Sequence, residues 1–380
     1  MRKLILIGLV PPPHNGQSIA FKSLMDYIDK DGVPYKVINI PYSFIPANKT
    51  LAILSRVFSY WLLLIQLFIN CIFSKNVVYV QLAQSRNGFL RDVWINRIAK
   101  LFDSKIIGHL HGGNFNGFYE SQSPAFKEFI SKQLLKYDKL VVLSNGLKTM
   151  YSFQPIIQDR IIAIPNGTNK QISQPAKVID NTKPIQILYL SNLIESKGYL
   201  HVLESLFFLK KENISFRANF CGEFIVNNDF SKFNSIKEAR NNFFLKVQEY
   251  NLEKEVNYLG VVTGGEKEIF LEESNFFILP TQYINEGQPV SIIEAMRAGS
   301  VTIASNYRAI PEMIEHNKTG FLLKNISAKE IAGYIIYCVN NPDAYSVISK
   351  NAMDYYNENF TEEIHGKRML ALLKEYSEIS

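Results

Sequence analysis

The sequence predicts an α/β protein with two doubly wound domains that face a cleft, and three observations support this fold class. Short apolar runs alternate with amphipathic helical stretches, an order typical of parallel sheets covered by helices on both faces. The alternation stops at a polar stretch and then starts again. The chain has 380 residues, which is too long for one ordinary core and suits two domains.

The first domain is predicted at residues 1–170. Its buried-strand candidates are "KLILIGLV", "NVVYVQLA", "SKIIGHLHG" and "DKLVVLS". Its helices are predicted from "IAFKSLMDYIDK", "RDVWINRIAKLF" and "FKEFISKQLLKY", which separate these strands. Residues 171–184 form a polar stretch with two prolines, which predicts a linker.

The second domain is predicted at residues 185–360, where the alternation restarts. Its strand candidates are "IQILYLSN", "SFRANFCGE", "VNYLGV", "FFILPT" and "VTIAS", and "YLHVLESLFFLKKE" is a predicted helix. Ligands of doubly wound sheets bind beyond the carboxyl ends of the strands. The loops after "LIGLV", "IGHLH", "LYLSN" and "FFILP" are therefore the candidate binding loops.

One segment of the first domain, residues 51–73, is nearly continuous in apolar residues. It is interrupted by Arg56, Gln66 and Asn70, and a buried-strand candidate follows directly at Asn76. A membrane-spanning helix needs about 20 mostly apolar residues, and a span here would pull the sheet apart. We therefore expect a helix that is buried or lies at an interface rather than one that crosses a bilayer.

Charge is divided unevenly along the chain. Residues 1–180 carry 21 Lys and Arg against 10 Asp and Glu, and residues 181–380 carry 20 against 25. The basic half could face nucleic acid, a membrane or an anionic substrate. No nucleic-acid motif accompanies it, so we expect no nucleic acid partner and favour an anionic membrane surface.

Three cysteines lie far apart, and the start of the chain has no cleavage site of a signal peptide. The cysteines are predicted to be reduced structural thiols. We therefore expect a cytoplasmic protein that is peripheral on the inner face of the cell membrane.

The stretch "NEGQPVSIIEAMRAGSVTIASN", at 285–306, has a carboxylate on each side of a turn. Pro289 suits the first turn of a helix, and apolar residues at helical spacing follow. Glu286 is therefore predicted in the loop before the helix, and Glu294 about two turns into it. The first amides of a helix favour an anion, typically a phosphate. We expect these amides to come from Gly287, Gln288, Val290 and Ser291.

This stretch resembles the E-x7-E signature of retaining glycosyltransferases of family 4, whose fold has two Rossmann-like domains (GT-B). The resemblance implies that Glu286 lies near the transferred sugar and that Glu294 binds the ribose hydroxyls of a nucleotide. A carboxylate matches a ribose diol because it accepts two O–H hydrogen bonds. The turn between them, Pro289 included, would hold the diphosphate and sugar. The alternative is a solvated pair of glutamates with no ligand.

The loop "YLSNLIESKG", at 189–198, resembles a strand–loop–helix segment of the same family that usually reads G-R-L and then K-G. The resemblance implies that Lys197 places an ammonium on the donor diphosphate. Ser191 and Asn192 occupy the places of the usual glycine and arginine. One of two expected diphosphate cations is therefore unaccounted for.

The stretch "HLHGGNF", at 109–115, resembles the family's first-domain H-G motif. His111 would lie at a strand end facing the cleft, near the sugar and phosphate, whereas His109 is predicted in the core. A Gly-Gly pair follows His111 and lets the backbone approach a ligand. Asn114 in the same stretch is a candidate for acceptor binding.

Two further first-domain stretches carry candidates. "PPPHNGQS", at 11–18, fills the place of the family's glycine-rich first loop, but Asn15 replaces one glycine and only Gly16 is carried over to donor binding. "LRD" starts a helix, and Arg91 or Asp92 could face the acceptor; a plain helix start explains them equally well.

The resemblance implies a retaining glycosyltransferase that moves a sugar from a nucleotide diphosphate sugar to a hydroxyl of a glycan or lipid-linked saccharide. A UDP-sugar is the favoured donor, with GDP-mannose as the alternative. The motif sequence "EGQPVSIIEAM" most resembles those of family members that build capsule, exopolysaccharide or O-antigen repeats. The final helix, at about 361–380, would pack back on the first domain. Glu286, His111 and Lys197 would be the catalytic residues.

We expect no cofactor and no metal, because no carboxylate pair lies in a credible metal-binding loop. Two other functions stay open at this point. A sugar-nucleotide epimerase on the same fold would need no acceptor. A non-catalytic subunit would bind a nucleotide sugar without turnover, although the intact glutamate pair argues against it.

Overall fold

The structure, a computed structural model, describes residues 2–12, 16–41, 49–168, 175–226 and 231–377, without the side chains of residues 49–54 and 56. The chain divides into two compact units. The first comprises Met1–Asn169 and Thr361–Ser380, and the second comprises Lys170–Phe360. Of the predicted linker 171–184, residues 171–174 lie outside the described residues, as do Asn15 and the last three residues of the chain.

The first unit contains a parallel sheet with helices between its strands. Within the described residues its elements are β1 (Lys3–Gly8), α1 (Gly16–Asp31), β2 (Tyr35–Asn39), α2 (Lys49–Ile72), β3 (Asn76–Gln81), α3 (Arg86–Leu101), β4 (Lys105–His109), α4 (Phe115–Glu120), α5 (Pro124–Leu134), β5 (Lys139–Val142) and β6 (Ile161–Ala163). The six strands lie in the order β2-β1-β3-β4-β5-β6. All six residues of β3 are buried, as expected for a strand covered on both faces.

The second unit repeats this architecture. Its described elements are β7 (Ile185–Leu190), α6 (Tyr199–Lys211), β8 (Phe216–Cys221), α7 (Ile236–Glu249), β9 (Val256–Gly260), α8 (Gly264–Glu273), β10 (Phe276–Leu279), α9 (Val290–Arg297), β11 (Val301–Ser305), β12 (Gly320–Leu323), α10 (Ala328–Asn340) and α11 (Pro342–Asn359). The parallel strand order is β12-β11-β10-β7-β8-β9. The two doubly wound sheets confirm the predicted α/β fold class.

The last helix, α12 (Glu362–Ser377), belongs to the first unit although it follows the second unit in sequence. Met369 and Leu373 are buried in the first unit's core beside Leu4, Phe21 and other strand and helix residues. The start of the helix is tied down because the backbone N–H of Glu362 donates to the carbonyl of Thr168 at 3.0 Å. The chain thus returns to the unit where it began.

The apolar segment predicted at 51–73 forms α2. Leu63, Leu67 and Cys71 recur every four residues and are buried, so one stripe of the helix faces the interior. The opposite side exposes large apolar residues, among them Phe58 and Trp61. None of the helices in the described part of the chain combines the length and apolar character that crossing a bilayer requires.

Strand order fixes where a ligand can bind in each unit. In the first sheet the chain reverses direction across the sheet between β1 and β3, and in the second between β7 and β10. The loops that leave the two strands on either side of such a reversal diverge, which opens a crevice at the carboxyl edge. Gly16 lies at the start of α1, the helix that follows β1, and Lys197 lies in the loop that follows β7.

Candidate active site

The second unit assembles its candidate residues at the reversal between β7 and β10. Ser191, Asn192 and Lys197 lie in the loop after β7, and Glu286 lies in the loop after β10. Because these strands are hydrogen-bonded neighbours, both loops leave the same edge of the sheet side by side. Residues almost ninety positions apart in sequence therefore come into contact.

Lys197 and Glu286 form an ion pair at this edge. The Nζ atom of Lys197 lies 3.2 Å from Oε2 of Glu286, and the side chains are 15% and 9% exposed. The same ammonium donates to Oγ of Ser191 at 3.0 Å and lies 5.3 Å from the ring centroid of Tyr283. The structure thus brings together three of the predicted site residues, and it adds an ion pair that the sequence did not predict.

Glu286 keeps one carboxylate oxygen for a ligand. Its Oε2 atom accepts a hydrogen bond from Oγ1 of Thr281 at 3.0 Å, in addition to its contact with Lys197. Within the described part of the chain, no group bonds to Oε1. The lysine and threonine therefore fix the orientation of the carboxylate and leave its other oxygen available.

The helix that follows is α9, and its start differs slightly from the predicted one. Pro289 immediately precedes the helix with φ −64° and ψ 108°, and the helix begins at Val290. Glu294 is therefore the fifth helical residue, about one turn in, and the expected two turns were wrong because the turn residues before Val290 are not helical. Gly287 and Gln288 are buried in this turn.

Glu294 has a basic partner that the sequence analysis missed. The Nζ atom of Lys267 on α8 lies 2.6 Å from Oε1 of Glu294, and both side chains are largely buried. A second ion pair, between Arg297 and Glu268, joins the same two helices. These contacts arise where α8 and α9 pack together, so no local sequence pattern signals them.

Two glycines allow the β7 loop to approach its neighbours closely. Gly198 has φ +77°, and a Cβ atom there would lie 2.5 Å from the carbonyl oxygen of Pro280. Gly222, after β8, has φ +140°, and a Cβ atom there would lie 2.1 Å from the carbonyl oxygen of Ser191. Both positions favour glycine for conformation and space, and together they place Lys197 against the β10 loop.

A buried tyrosine lies beneath this site. The hydroxyl of Tyr189, the fifth residue of β7, donates to the carbonyl of Asn192 at 3.2 Å. Burial, and after it the negative charge of Glu286, raises the pKa of Tyr189 well above its usual value. The tyrosine therefore stays a neutral donor that holds the loop in place. The Asn192 side chain itself is exposed.

Arg308 braces the loop that carries Glu286. It has φ +54°, and its guanidinium donates from Nη2 to the carbonyl of Ile284 at 3.1 Å. Arg308 is thus a further cation close to the site, in addition to Lys197 and Lys267. It reaches the loop from beyond β11, where a sequence pattern cannot place it.

In the first unit, Gln81 connects the candidate residues. Its Oε1 atom accepts from the backbone of Leu9 at 2.8 Å, and its Nε2 atom donates to the carbonyl of Gln17 at 3.0 Å. The same Nε2 atom lies 3.2 Å from Nε2 of His111. Because an amide NH₂ can only donate, this ring nitrogen must be the unprotonated one. Gly16 is the exposed first residue of α1, next to Gln17.

His111 lies in a cluster of three histidines. Its ring centroid is 4.0 Å from that of His109, which in turn is 6.4 Å from that of His365 on α12. His109 is buried and contacts the hydroxyl of Tyr79 at 2.8 Å through Nδ1, in line with its predicted core position. Burial, and then the nearby His365, lowers the pKa of His111 to about 3. His111 is therefore neutral at physiological pH.

Asp92, one of the two candidates for acceptor binding on α3, braces the first unit instead. Asp92 is fully buried, so it cannot face an acceptor. Its carboxylate pairs with Nη2 of Arg91 at 2.6 Å and accepts from the backbone of Ala83 at 2.9 Å. Burial raises the pKa of Asp92, although the guanidinium opposes this. The pair fastens the loop between β3 and α3.

Asn114 is half-buried and precedes α4 at the carboxyl edge of the first sheet. Its backbone N–H donates to Oε1 of Gln84 at 3.2 Å. It stays a candidate for acceptor binding. Among the described residues, no three His, Cys, Asp or Glu side chains come together in a way that could hold a metal ion.

The two doubly wound sheets correspond to the two-domain GT-B fold, and comparisons with solved structures agree. The chain is similar to a glycosyltransferase from Rickettsia africae ESF-5, at 20% identity and a TM-score of 0.73 with complete coverage of both chains. It is also similar to Anabaena HepE in complex with UDP and glucose, at 14% identity and a TM-score of 0.68, covering 98% of this chain and all of that one. At these identities the likeness establishes the fold.

A comparison with protein families matches the second unit. Residues 170–355 match the family model described as glycosyl transferases group 1, so this unit is similar to that family. The chain is 22% identical over 222 residues to a putative colanic acid biosynthesis glycosyltransferase, WcaL, of Escherichia coli (strain K12), covering 57% of this chain and 52% of that protein. It is 28% identical over 158 residues to the amylovoran biosynthesis glycosyltransferase AmsK of Erwinia amylovora, covering 40% and 36%. The chain thus spans about half or less of these relatives.

Proposed function

We propose that this protein is a retaining glycosyltransferase that moves a sugar from a nucleotide diphosphate sugar to a hydroxyl of a glycan or lipid-linked saccharide in cell-surface polysaccharide synthesis. The observation that carries the proposal is the Lys197–Glu286 ion pair at the reversal between β7 and β10, next to the start of α9. A cation and a carboxylate side by side suit a donor that is anionic at its diphosphate and develops positive charge at its sugar.

The donor diphosphate would lie against Lys197 and the first amides of α9. The amides at the start of a helix have no partner within the helix and carry roughly half a positive charge. Ser191 and Gly287–Ser291 would line the same diphosphate site. As the bond between the sugar's anomeric carbon and the diphosphate breaks, these groups stabilise the leaving charge.

Glu286 would position the sugar and stabilise its oxocarbenium-like state with the Oε1 atom. The acceptor hydroxyl attacks the anomeric carbon on the face that the diphosphate leaves, and its proton passes to an oxygen of the departing diphosphate. Configuration at that carbon is then retained. Glu294 would bind the ribose hydroxyls, and Lys267 would hold its carboxylate in place.

A UDP-sugar is the favoured donor and GDP-mannose the alternative. Support comes from similar proteins: HepE is described with UDP and with UDP-glucose, and TarM of S. aureus with UDP. Thermal stabilisation by a panel of nucleotide sugars tests this choice. The largest shift is expected with a uridine nucleotide, and equal shifts with all bases would refute it.

The transfer is proposed to need no divalent metal and no other cofactor, since Lys197 and the start of α9 supply positive charge to the diphosphate. Full activity in excess chelator is the expected result. Activity that is lost in chelator and restored by magnesium or manganese would contradict this.

Two other functions give different outcomes in one assay. An epimerase would convert the nucleotide sugar without any acceptor, and a non-catalytic subunit would bind it without turnover. A transferase releases nucleoside diphosphate in proportion to the glycoside formed. Incubating the donor with and without acceptor and analysing both products therefore separates the three.

A further inference from the structure

An apolar groove of about 490 Å³ lies between α2 and α3 in the first unit. Trp61, Leu64 and Ile65 line it from α2, and Leu90, Trp94 and Ile98 line it from α3. The two tryptophans are the only ones in the chain. Both are at least half exposed, Trp61 at 63% and Trp94 at 50%. Large contiguous apolar surfaces of this kind usually bind a ligand, a membrane or a protein.

The groove runs towards the carboxyl edge of the first sheet, where the acceptor is expected to bind. α3 begins at Arg86, shortly after β3 ends at Gln81, so one end of the groove lies at the carboxyl edge of the sheet. The groove then follows α3 from Asn87 to Ile98, a helical length of about 16 Å.

Direct contacts join this end of the groove to the histidine cluster. Arg91 lines the groove, and its Nη2 atom donates to the carbonyl of Gln81 at 3.2 Å. The Gln81 side chain contacts His111 at 3.2 Å. An amphiphile whose hydrocarbon chain filled the groove would therefore have its polar end towards Gln81 and His111.

The charge beside the groove suits an anionic polar end. Arg86, the first residue of α3, is exposed and stacks on the ring of Phe126 at 4.8 Å. Arg97 is exposed and stacks on Trp94 at 4.8 Å. Within the described part of the chain neither guanidinium has a carboxylate partner. An aromatic stack holds each cation in place without neutralising it.

We propose that the α2–α3 groove binds the hydrocarbon chain of an acceptor whose saccharide is joined to a lipid through phosphate. This deepens the proposed function and rests on it, because it names the lipid-linked saccharide as the acceptor class. The apolar walls bury the chain, and the unpaired Arg86, at the carboxyl-edge end of the groove, faces the phosphate.

The tryptophans provide a binding test that does not depend on activity. A dodecyl phosphate brominated along its chain should quench the intrinsic fluorescence of the full-length protein and saturate below its micelle concentration, whereas ethyl phosphate should not compete with it. Quenching that does not saturate, or equal competition by ethyl phosphate, would overturn the proposal.

A matched pair of variants separates the groove from the general apolar surface of α2. Ile65 lines the groove and is 50% exposed, whereas Ile69, one turn further, is 54% exposed and does not line it. Ile65→Ser should weaken probe binding by about tenfold, since an apolar contact is lost, and Ile69→Ser should leave it unchanged. An equal loss in both would indicate adsorption to the helix surface and refute the groove.

Activity then tests the acceptor class. Two acceptors with the same saccharide phosphate, one on a long alkyl chain and one on a methyl group, should differ at least tenfold in kcat/KM, and Ile65→Ser should reduce only the long-chain value. Equal values for both acceptors would refute the groove while the transferase function stands. Absence of transfer to either, with saturable quenching intact, would refute the function and leave chain binding established.

Discussion

Lys197 connects groups from two loops of the second unit, because its ammonium touches Glu286, Ser191 and the ring of Tyr283. Asn192 stands where a second cation is expected and carries no charge. The proposed mechanism therefore places most of the diphosphate's neutralisation on this one lysine and on the start of α9. Substitutions at single residues can test that distribution.

Lys197→Met should lower kcat/KM by about thirty- to a hundred-fold, because a charged hydrogen bond to the leaving group contributes about 2–3 kcal/mol. Lys232→Met is the matched control, since the Lys232 side chain is 88% exposed and should change little. Steady-state kinetics with a saturating acceptor gives both values. A loss below about threefold for Lys197→Met would assign the diphosphate to another cation, such as Arg308 or Lys267.

Substitutions of the two glutamates should have different effects on nucleotide binding and on kcat. Glu294→Ala should mainly weaken nucleotide binding, because it removes the proposed ribose contact, whereas Glu286→Gln should mainly lower kcat, because it removes the charge proposed to lie near the reacting carbon. Calorimetric titration with the nucleoside diphosphate and kinetics on both variants measure this. Identical profiles for the two variants would rule out separate roles.

At the residue scale, the sequence could predict what lies within one continuous motif. Glu286, Glu294 and Lys197 belong to such motifs, and the structure places Glu286 and Lys197 in contact. Lys267 and Tyr189 could not be predicted, since their contacts arise only when separate helices and strands pack. Asp92 was misjudged because the sequence placed it at the start of a helix, whereas α3 begins at Arg86 and Asp92 is a buried residue more than one turn inside it.

At the scale of elements, the start of α6 sets the position of Lys197. Gly198 follows the lysine with φ +77° and lies against the carbonyl of Pro280 in the β10 loop. Any side chain there must be accommodated by moving one loop away from the other. The geometry of the ion pair thus depends on a residue that has no functional group.

Gly198→Ala should lower the free energy of unfolding by about 2 kcal/mol or more, because the residue has a positive φ and its Cβ would collide with backbone. It should also lower kcat/KM. Gly333→Ala is the control: Gly333 lies inside α10 with open space around it, so the change should be neutral or stabilise slightly. Chemical denaturation measures both variants. Equal stability of the two would contradict the close approach.

For α2, the sequence predicted the helix but not the distribution of its buried and exposed apolar residues. The apolar run at 51–73 predicted a helix that is buried or lies at an interface, and the structure gives a helix with one buried stripe. Sequence could not show which apolar residues remain exposed, because both faces of the helix are apolar. The groove with α3 depends on that distinction.

For the whole molecule, the basic first half and the exposed apolar face of α2 predict attachment to a membrane surface. Sedimentation with anionic vesicles should fall as salt rises, since each basic residue near an anionic surface contributes up to about 1 kcal/mol, and salt screens this attraction. Neutral vesicles serve as the control. Equal binding to neutral and anionic vesicles at every salt concentration would exclude an electrostatic contribution.

The paired Lys197 and Glu286 are proposed to support transfer of a sugar with retention of configuration. Proton NMR of the anomeric region, recorded while the protein acts on a nucleotide sugar and a lipid-linked acceptor, tests it most directly. We expect a new glycoside with the anomeric configuration of the donor, formed in step with free nucleoside diphosphate and absent in Lys197→Met at equal times. A glycoside of inverted configuration, or an epimerised nucleotide sugar formed without acceptor, would contradict it.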